Sequence, residues 1–154
     1  MKDAVSPMNW EFDRFLELSV HSLYELLQLR TEVFVMEQNC PFQDMDGSDD
    51  QAMHLRGLRE GRLLAYARCF PAGVKFKEAS MGRLITRAEI RGEKIGHQLL
   101  DEAVERLCRE WGVQAIRIGA QTRLERFYLG HGFVTDGVVY VEDGIDHVEM
   151  LWKP

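Results

Sequence analysis

The sequence predicts a single α+β domain, and three observations lead there. Extended segments with two-residue alternation are interleaved with helical segments along the chain. One strongly amphipathic helix directly follows a short apolar strand across a glycine-containing loop. A length of 154 residues, 45% hydrophobic and 29% charged, is enough for one core of ordinary composition. One domain over residues 1–154 is expected, with residues 1–7 a frayed tail.

Trp10, Phe12, Phe15 and Leu18 supply the apolar positions of a first strand. Ser22-Leu23-Tyr24-Glu25 is a capping-box pattern, and Leu23, Leu26, Leu27, Arg30, Val33 and Phe34 keep helical spacing to about Glu37. Pro, Gly, Asp and Ser then crowd the segment Asn39 to Asp50, which reads as a long loop or a broken second helix. His54 to Leu58 and Leu63 to Phe70, separated by Arg59-Glu60-Gly61-Arg62, form a predicted hairpin. A third strand, Ala79 to Thr86, leads to the loop Arg91-Gly92-Glu93-Lys94-Ile95-Gly96.

Ile95, Leu99, Leu100, Ala103, Val104, Leu107, Cys108 and Trp111 fall on one face of the next helix. Glu102–Arg106 and Glu105–Arg109 on its outer face are favourable i,i+4 pairs, and Gly112 ends it. Ala115 to Ile118 is the following strand. Thr122-Arg123-Leu124-Glu125 is a second capping box, for a short helix closed by Gly130 and Gly132. Phe133, Val138 to Val141 and His147 to Trp152 are strand-like, with a turn at Asp143-Gly144.

Composition excludes several functions. A net charge of −6 without a Lys/Arg run argues against a nucleic-acid partner. No window approaches the roughly 20 apolar residues of a membrane span, and no secretory signal is visible at the start, so no membrane partner and a cytoplasmic location are expected. Cys40, Cys69 and Cys108 are odd in number and widely spaced, which suggests reduced, mostly buried thiols. Asp44-Met45-Asp46-Gly47-Ser48-Asp49-Asp50 has the wrong register for a calcium loop, and no metal is expected. It reads as solvated surface, or as a loop at the edge of a cation-accepting site. Arg30, Arg68, Arg83 and Arg123 are expected to be solvated.

The strongest chemical signal is Arg91, Gly92, Glu93, Lys94, Ile95 and Gly96. A helix beginning just after a strand presents unpaired N–H groups and a positive dipole end, and glycines let a diphosphate approach the main chain. The natural guests are nucleotides and coenzyme A. Neither a P-loop nor a Gly-x-Gly-x-x-Gly fingerprint is present.

The order of elements, the Arg91 to Gly96 loop, and Phe127-Tyr128 followed by His131-Gly132-Phe133 resemble the GNAT superfamily of acyl-CoA N-acyltransferases over nearly the whole chain. Leu29 to Gln38, Glu142 to His147 and the Lys94 that follows Gly92-Glu93 resemble its ElaA-like branch. The resemblance implies a mixed, mostly antiparallel, splayed sheet of about seven strands with about four helices. It implies acetyl-CoA as cosubstrate, with Leu84, Ile85 and Thr86 pairing to the pantetheine arm and Arg91, Gly92, Glu93, Lys94, Ile95 and Gly96 holding the pyrophosphate. The acceptor would be a primary amine of a small molecule or peptide, and a homodimer is compatible with the family.

Tyr128 matches the family's general acid, which protonates the departing thiolate; its bland alternative is packing against Leu124 on the same helical face. A lysine-like amine, with pKa about 10.4, must also lose a proton. His54 is the first candidate for that base, although a lone strand histidine is more often structural; Glu32, Glu37, Glu142 and His147 follow. A noncatalytic acyl-CoA-binding or sensing module is the alternative function, and in it replacing Tyr128 by Phe would be silent.

Overall fold

The structure, a computed structural model, describes residues 6–154, so residues 1–5 of the expected tail lie outside the described residues. Eight strands form one sheet: β1 (Asn9–Arg14), β2 (Met53–Arg59), β3 (Arg62–Phe70), β4 (Ala79–Thr86), β5 (Ile116–Gln121), β6 (Phe133–Thr135), β7 (Tyr140–Glu142) and β8 (Ile145–Trp152). Three α-helices accompany them: α1 (Val20–Arg30), α2 (Ile95–Trp111) and α3 (Glu125–Leu129). The sheet order is β1-β2-β3-β4-β5-β8-β6, and β7 also pairs with β8.

Every pairing is antiparallel except that of β4 with β5, which α2 connects as a crossover. The parallel ladder is limited to Ala79↔Ile116 and Ser80↔Arg117. Beyond Ser80 the two strands separate, and the sheet opens at its middle. A register shift opposite Tyr66–Arg68 accompanies a positive φ of 52° at Arg83, so β4 is bulged where the opening begins.

Two layers cover the sheet. Leu26 and Leu29 of α1, with Val33 beyond it, pack on Leu63, Tyr66 and Ile85. On the opposite face, Ile95, Leu99, Leu100, Ala103 and Leu107 of α2 and Tyr128 of α3 pack on Leu55, Ala65, Ala67, Met81, Ile118 and Val148. These α2 residues are the apolar face that its spacing predicts, and the polar face carries the Glu102–Arg106 and Glu105–Arg109 pairs.

Helix α1 begins earlier than the Ser22 capping box implies. Ser19 is its N-cap, with its hydroxyl accepting from the Ser22 N–H at 3.0 Å. The helix then continues as a π-helical segment, Thr31–Glu37, to the expected end. The second capping box is also absent as a side-chain bond. Thr122–Leu124 instead forms one 3₁₀ turn before α3. The β2–β3 turn holds Glu60 and Gly61 at φ 52° and 77°, the left-handed pair that a two-residue hairpin requires.

Candidate active site

The opening between β4 and β5 is a cleft of about 1310 Å³. Its walls come from Ser80 to Thr86 of β4 and Ile118 to Gln121 of β5, and Tyr128, Tyr140 and His147 also line it. It reaches both faces of the sheet. Ile118, Ala120 and Tyr128 belong to the core under α2, whereas strand alternation turns Gly119, Gln121 and His147 to the opposite face. The volume exceeds the roughly 300–1,000 Å³ of an ordinary small-molecule site. It has room for an extended ligand and a second reactant.

Among the described residues, no strand pairs with β4 on its β5 side from Met81 to Thr86. Leu84, Ile85 and Thr86 therefore present a free edge to the cleft, the arrangement that an extended ligand arm pairs with. Thr86 and Arg91 line both this cleft and a second one, of about 280 Å³, formed by Gly92, Lys94, Ile95, Gly96, His97 and Phe127. The two cavities share a wall at the end of β4.

The second cavity has the chemistry of an anion seat. Lys94 is the N-cap of α2 in left-handed geometry, with φ 63°, and Gly92 lies at φ 98°. At Gly92 and Gly96 a Cβ would meet nothing within 4 Å, so the backbone is open to close approach. The Gln98 N–H bonds the Lys94 carbonyl at 3.4 Å, while the N–H groups of Ile95, Gly96 and His97 precede it in the open first turn. Arg91 folds back to donate to the Thr86 carbonyl at 2.9 Å and pairs with Glu37 at 2.8 Å. The Glu93 carboxylate is held by Arg59 at 3.1 Å. Both side chains brace the turn, and the Lys94 side chain is exposed beside it.

Tyr128 is buried between Phe127 and Phe133, which meet its ring edge-on at centroid distances of 5.2 and 5.6 Å. Burial pushes its phenol up to about 12, against a smaller pull from Arg123. It stays protonated at neutral pH and keeps a proton to donate.

Residues 23–154 match the Acetyltransferase (GNAT) domain family. The chain is 41% identical over 145 residues to protein ElaA of Escherichia coli strain K12, covering 93% of this chain and 95% of ElaA. It belongs to the GNAT acetyltransferase family. The crystal structure of Escherichia coli ElaA superposes with a TM-score of 0.88 at 40% identity, covering 96% of this chain and 100% of that one. An acyl-CoA N-acyltransferase from Pseudomonas aeruginosa gives a TM-score of 0.90 at 38% identity, covering 95% and 99%.

Within this GNAT domain His54 does not reach the cleft. It is fully buried; Nε2 lies 2.8 Å from the Asp49 carbonyl and Nδ1 2.6 Å from the Tyr66 hydroxyl. A carbonyl can only accept, so Nε2 carries the hydrogen and Nδ1 accepts from the phenol. Both nitrogens are occupied, and burial lowers the imidazole's pKa. His54 ties β2 to the loop before it and is not the base.

Of the four arginines expected to be solvated, Arg123 is exposed, whereas Arg30, Arg68 and Arg83 are drawn into ion pairs. Arg30 is fully buried and Arg68 nearly so. Arg30 donates to Asp44 at 2.8 Å and to Asp49 at 2.7 Å; Arg68 donates to Asp46 at 2.5 Å and to Asp49 at 3.0 Å. Arg83 takes the other oxygen of Asp44 at 2.8 Å, and Lys75 reaches Asp46 at 3.3 Å. The acidic loop is thus neither free surface nor an open cation trap. Its carboxylates bind the GNAT domain's own cations, and this fixes Cys40, Phe42 and Asp46 along the cleft wall.

Sequence reasoning missed Arg68, Phe42, Phe70, Gly119 and Tyr140 as cleft residues. Gly119 makes room for a neighbour, since a Cβ there would lie 2.6 Å from the Tyr140 hydroxyl. No local pattern marks it, because Tyr140 reaches it from β7, across the end of β8.

Among the described residues no helix is long and apolar enough to cross a membrane. Cys40, Cys69 and Cys108 are free thiols, and burial pushes Cys69 up to about 12.

Proposed function

We propose that the protein is an acyl-CoA-dependent N-acyltransferase that transfers acetyl from acetyl-CoA to a primary amine of a small molecule or peptide by direct attack. One observation carries this reading: the cleft along the free β4 edge and the cavity at the open first turn of α2 share Thr86 and Arg91 in their walls. Coenzyme A needs an edge for its amide-bearing arm and a cationic, N–H-rich turn for its diphosphate, in that order. Leu84, Ile85 and Thr86 would pair with the arm. Gly92, Lys94, Ile95 and Gly96 would receive the diphosphate, with Arg91 and Glu93 bracing the turn.

The bound thioester supplies an activated acyl carbon and a thiol leaving group. Tyr128 lies on the α2 side of the opening, where it would donate to the departing sulfur. A phenol near 12 is about 3.5 units weaker than a thiol near 8.5, so complete transfer to a free thiolate is uphill by about 5 kcal/mol. Tyr128 therefore acts as C–S cleavage proceeds, by a hydrogen bond that strengthens as charge builds on sulfur.

The test is release of free CoA thiol from acetyl-CoA with a panel of primary amines, for the wild type and Tyr128→Phe. Amine-dependent release that falls about 10²-fold or more in the variant is expected, with acetyl-CoA affinity retained. Tight acetyl-CoA binding with no amine-dependent release would instead establish a noncatalytic acyl-CoA-binding module.

A further inference from the structure

Acyl transfer to an amine also needs a group that takes a proton from the nucleophile, and we propose that His147 is this general base, an inference that rests on the acyl-transfer reading above. His147 lies on β8, buried in the cleft wall, on the face of the sheet opposite Tyr128.

Its tautomer is set by geometry. Nδ1 lies 2.7 Å from the Ile145 carbonyl oxygen. That oxygen can only accept, so Nδ1 carries the hydrogen, and the neutral ring has its lone pair on Nε2. The ring is fixed by stacking on Tyr140, with centroids 5.7 Å apart and planes at 24°. Gly119 leaves room for the Tyr140 hydroxyl over β5, so a single missing side chain permits this support.

Glu142 of β7 places Oε2 3.9 Å from Nε2, beyond hydrogen-bond reach. Gln121, opposite His147 on β5, is neutral and donates to Gln38 at 3.2 Å. Glu149, two residues along β8, is held by Arg117 at 3.2 Å, and Asp146 points to the other face by strand alternation. Three other histidines contrast with this one. His54 has both nitrogens bound, and His97 and His131 pair with each other at 2.7 Å beside the diphosphate seat.

The proton balance closes. The neutral amine nitrogen bonds to the acyl carbon while the C–S bond breaks; one N–H proton passes to His147 Nε2, and the sulfur leaves with its growing charge hydrogen-bonded by Tyr128. His147 then loses its proton to solvent, the thiolate takes one from solvent, and the products are an amide and a thiol. Acid and base lie on opposite sides of the sheet's opening, so the amine and the thioester approach from different faces.

The test uses His147→Asn, whose side-chain N–H can keep the bond to Ile145, with His147→Gln as a second variant and Nα-acetyl-lysine amide as probe acceptor. A fall in kcat of about 10²-fold or more is expected, with acetyl-CoA affinity by calorimetry unchanged and the acid limb of the pH–kcat/KM profile lost. Turnover within about 3-fold of wild type and an unaltered profile would overturn the assignment alone. Nitrogen-15 NMR placing the hydrogen on Nε2 would overturn it independently of turnover. A wild type that turns over neither this probe nor any other primary amine overturns the acyl-transfer reading, and the base with it.

Discussion

Asp49→Ala should be among the most destabilising single changes in this protein. The carboxylate accepts from Arg30 at 2.7 Å and Arg68 at 3.0 Å, and both guanidinium groups are almost inaccessible to water. Each lost charge-assisted hydrogen bond is worth about 1.5–3 kcal/mol, and breaking one side of a buried ion pair typically costs about 3–5 kcal/mol. Asp44 and Asp46 remain to neutralise part of the exposed charge, which favours the lower half of that range, about 3–4 kcal/mol. With a urea m-value of about 2 kcal/mol/M, the midpoint should fall by roughly 1.5–2 M at constant m. Asp49→Asn, which keeps an acceptor but removes the charge, should lose less. A loss below about 1 kcal/mol for Asp49→Ala would refute the view that this network fixes the loop at the cleft wall.

The same carboxylate makes stability pH-dependent. Burial pushes Asp49 up, but the two arginines outweigh it and hold the group below the usual carboxylate range in the folded protein. Its contribution is therefore complete above about 3.9 and is lost as pH falls further toward its folded-state value. The difference in urea midpoint between wild type and Asp49→Ala should shrink as pH is lowered below about 4. Gly57→Ala should lower thermal stability by about 1–3 kcal/mol, since its Cβ would lie 2.6 Å from the Trp10 ring across the β1–β2 pair. Gly119→Ala meets only the far end of Tyr140, so melting should change little while amine-dependent thiol release falls several-fold. Cys69 should resist alkylation in the native state and react only on unfolding, because its thiol is fully buried and raised to about 12.

What the sequence made legible was local and strongly periodic. Ala79 to Thr86 is β4 with both boundaries as expected, and the one-sided series from Ile95 to Trp111 is α2. The β2–β3 hairpin follows from a glycine turn between apolar runs. The start of α1 was obscured because Val20 and Tyr24 are exposed and leave little apolar pattern in the first turn. A second serine, Ser22, also offered a plausible cap, where the structure uses Ser19.

The candidate site divides the same way. Arg91, Gly92, Lys94, Ile95 and Gly96 are near neighbours in sequence and line one cavity, so a local pattern points to it. The partners that decide the rest are remote. His54 is occupied by Tyr66 through the β2–β3 pairing, and Arg30 is buried by aspartates 14 and 19 residues further on. The splay follows from a parallel ladder that ends after Ser80, with 29 residues of chain, α2 among them, between its two strands. Helical or strand periodicity carries no record of such pairings, and a long charged side chain reads as surface until its partners are placed.

The most direct measurement is calorimetric titration of acetyl-CoA into the wild type and into Gly96→Trp. Gly96 lies in the first turn of α2 with open space around its would-be Cβ, so the variant should fold while its indole fills the diphosphate seat. Specific binding by the wild type, weakened at least about 10²-fold in a variant with an unchanged unfolding midpoint, is the predicted result. No binding by the wild type, or equal affinity in the two proteins, would contradict the acyl-CoA site on which the proposed function rests.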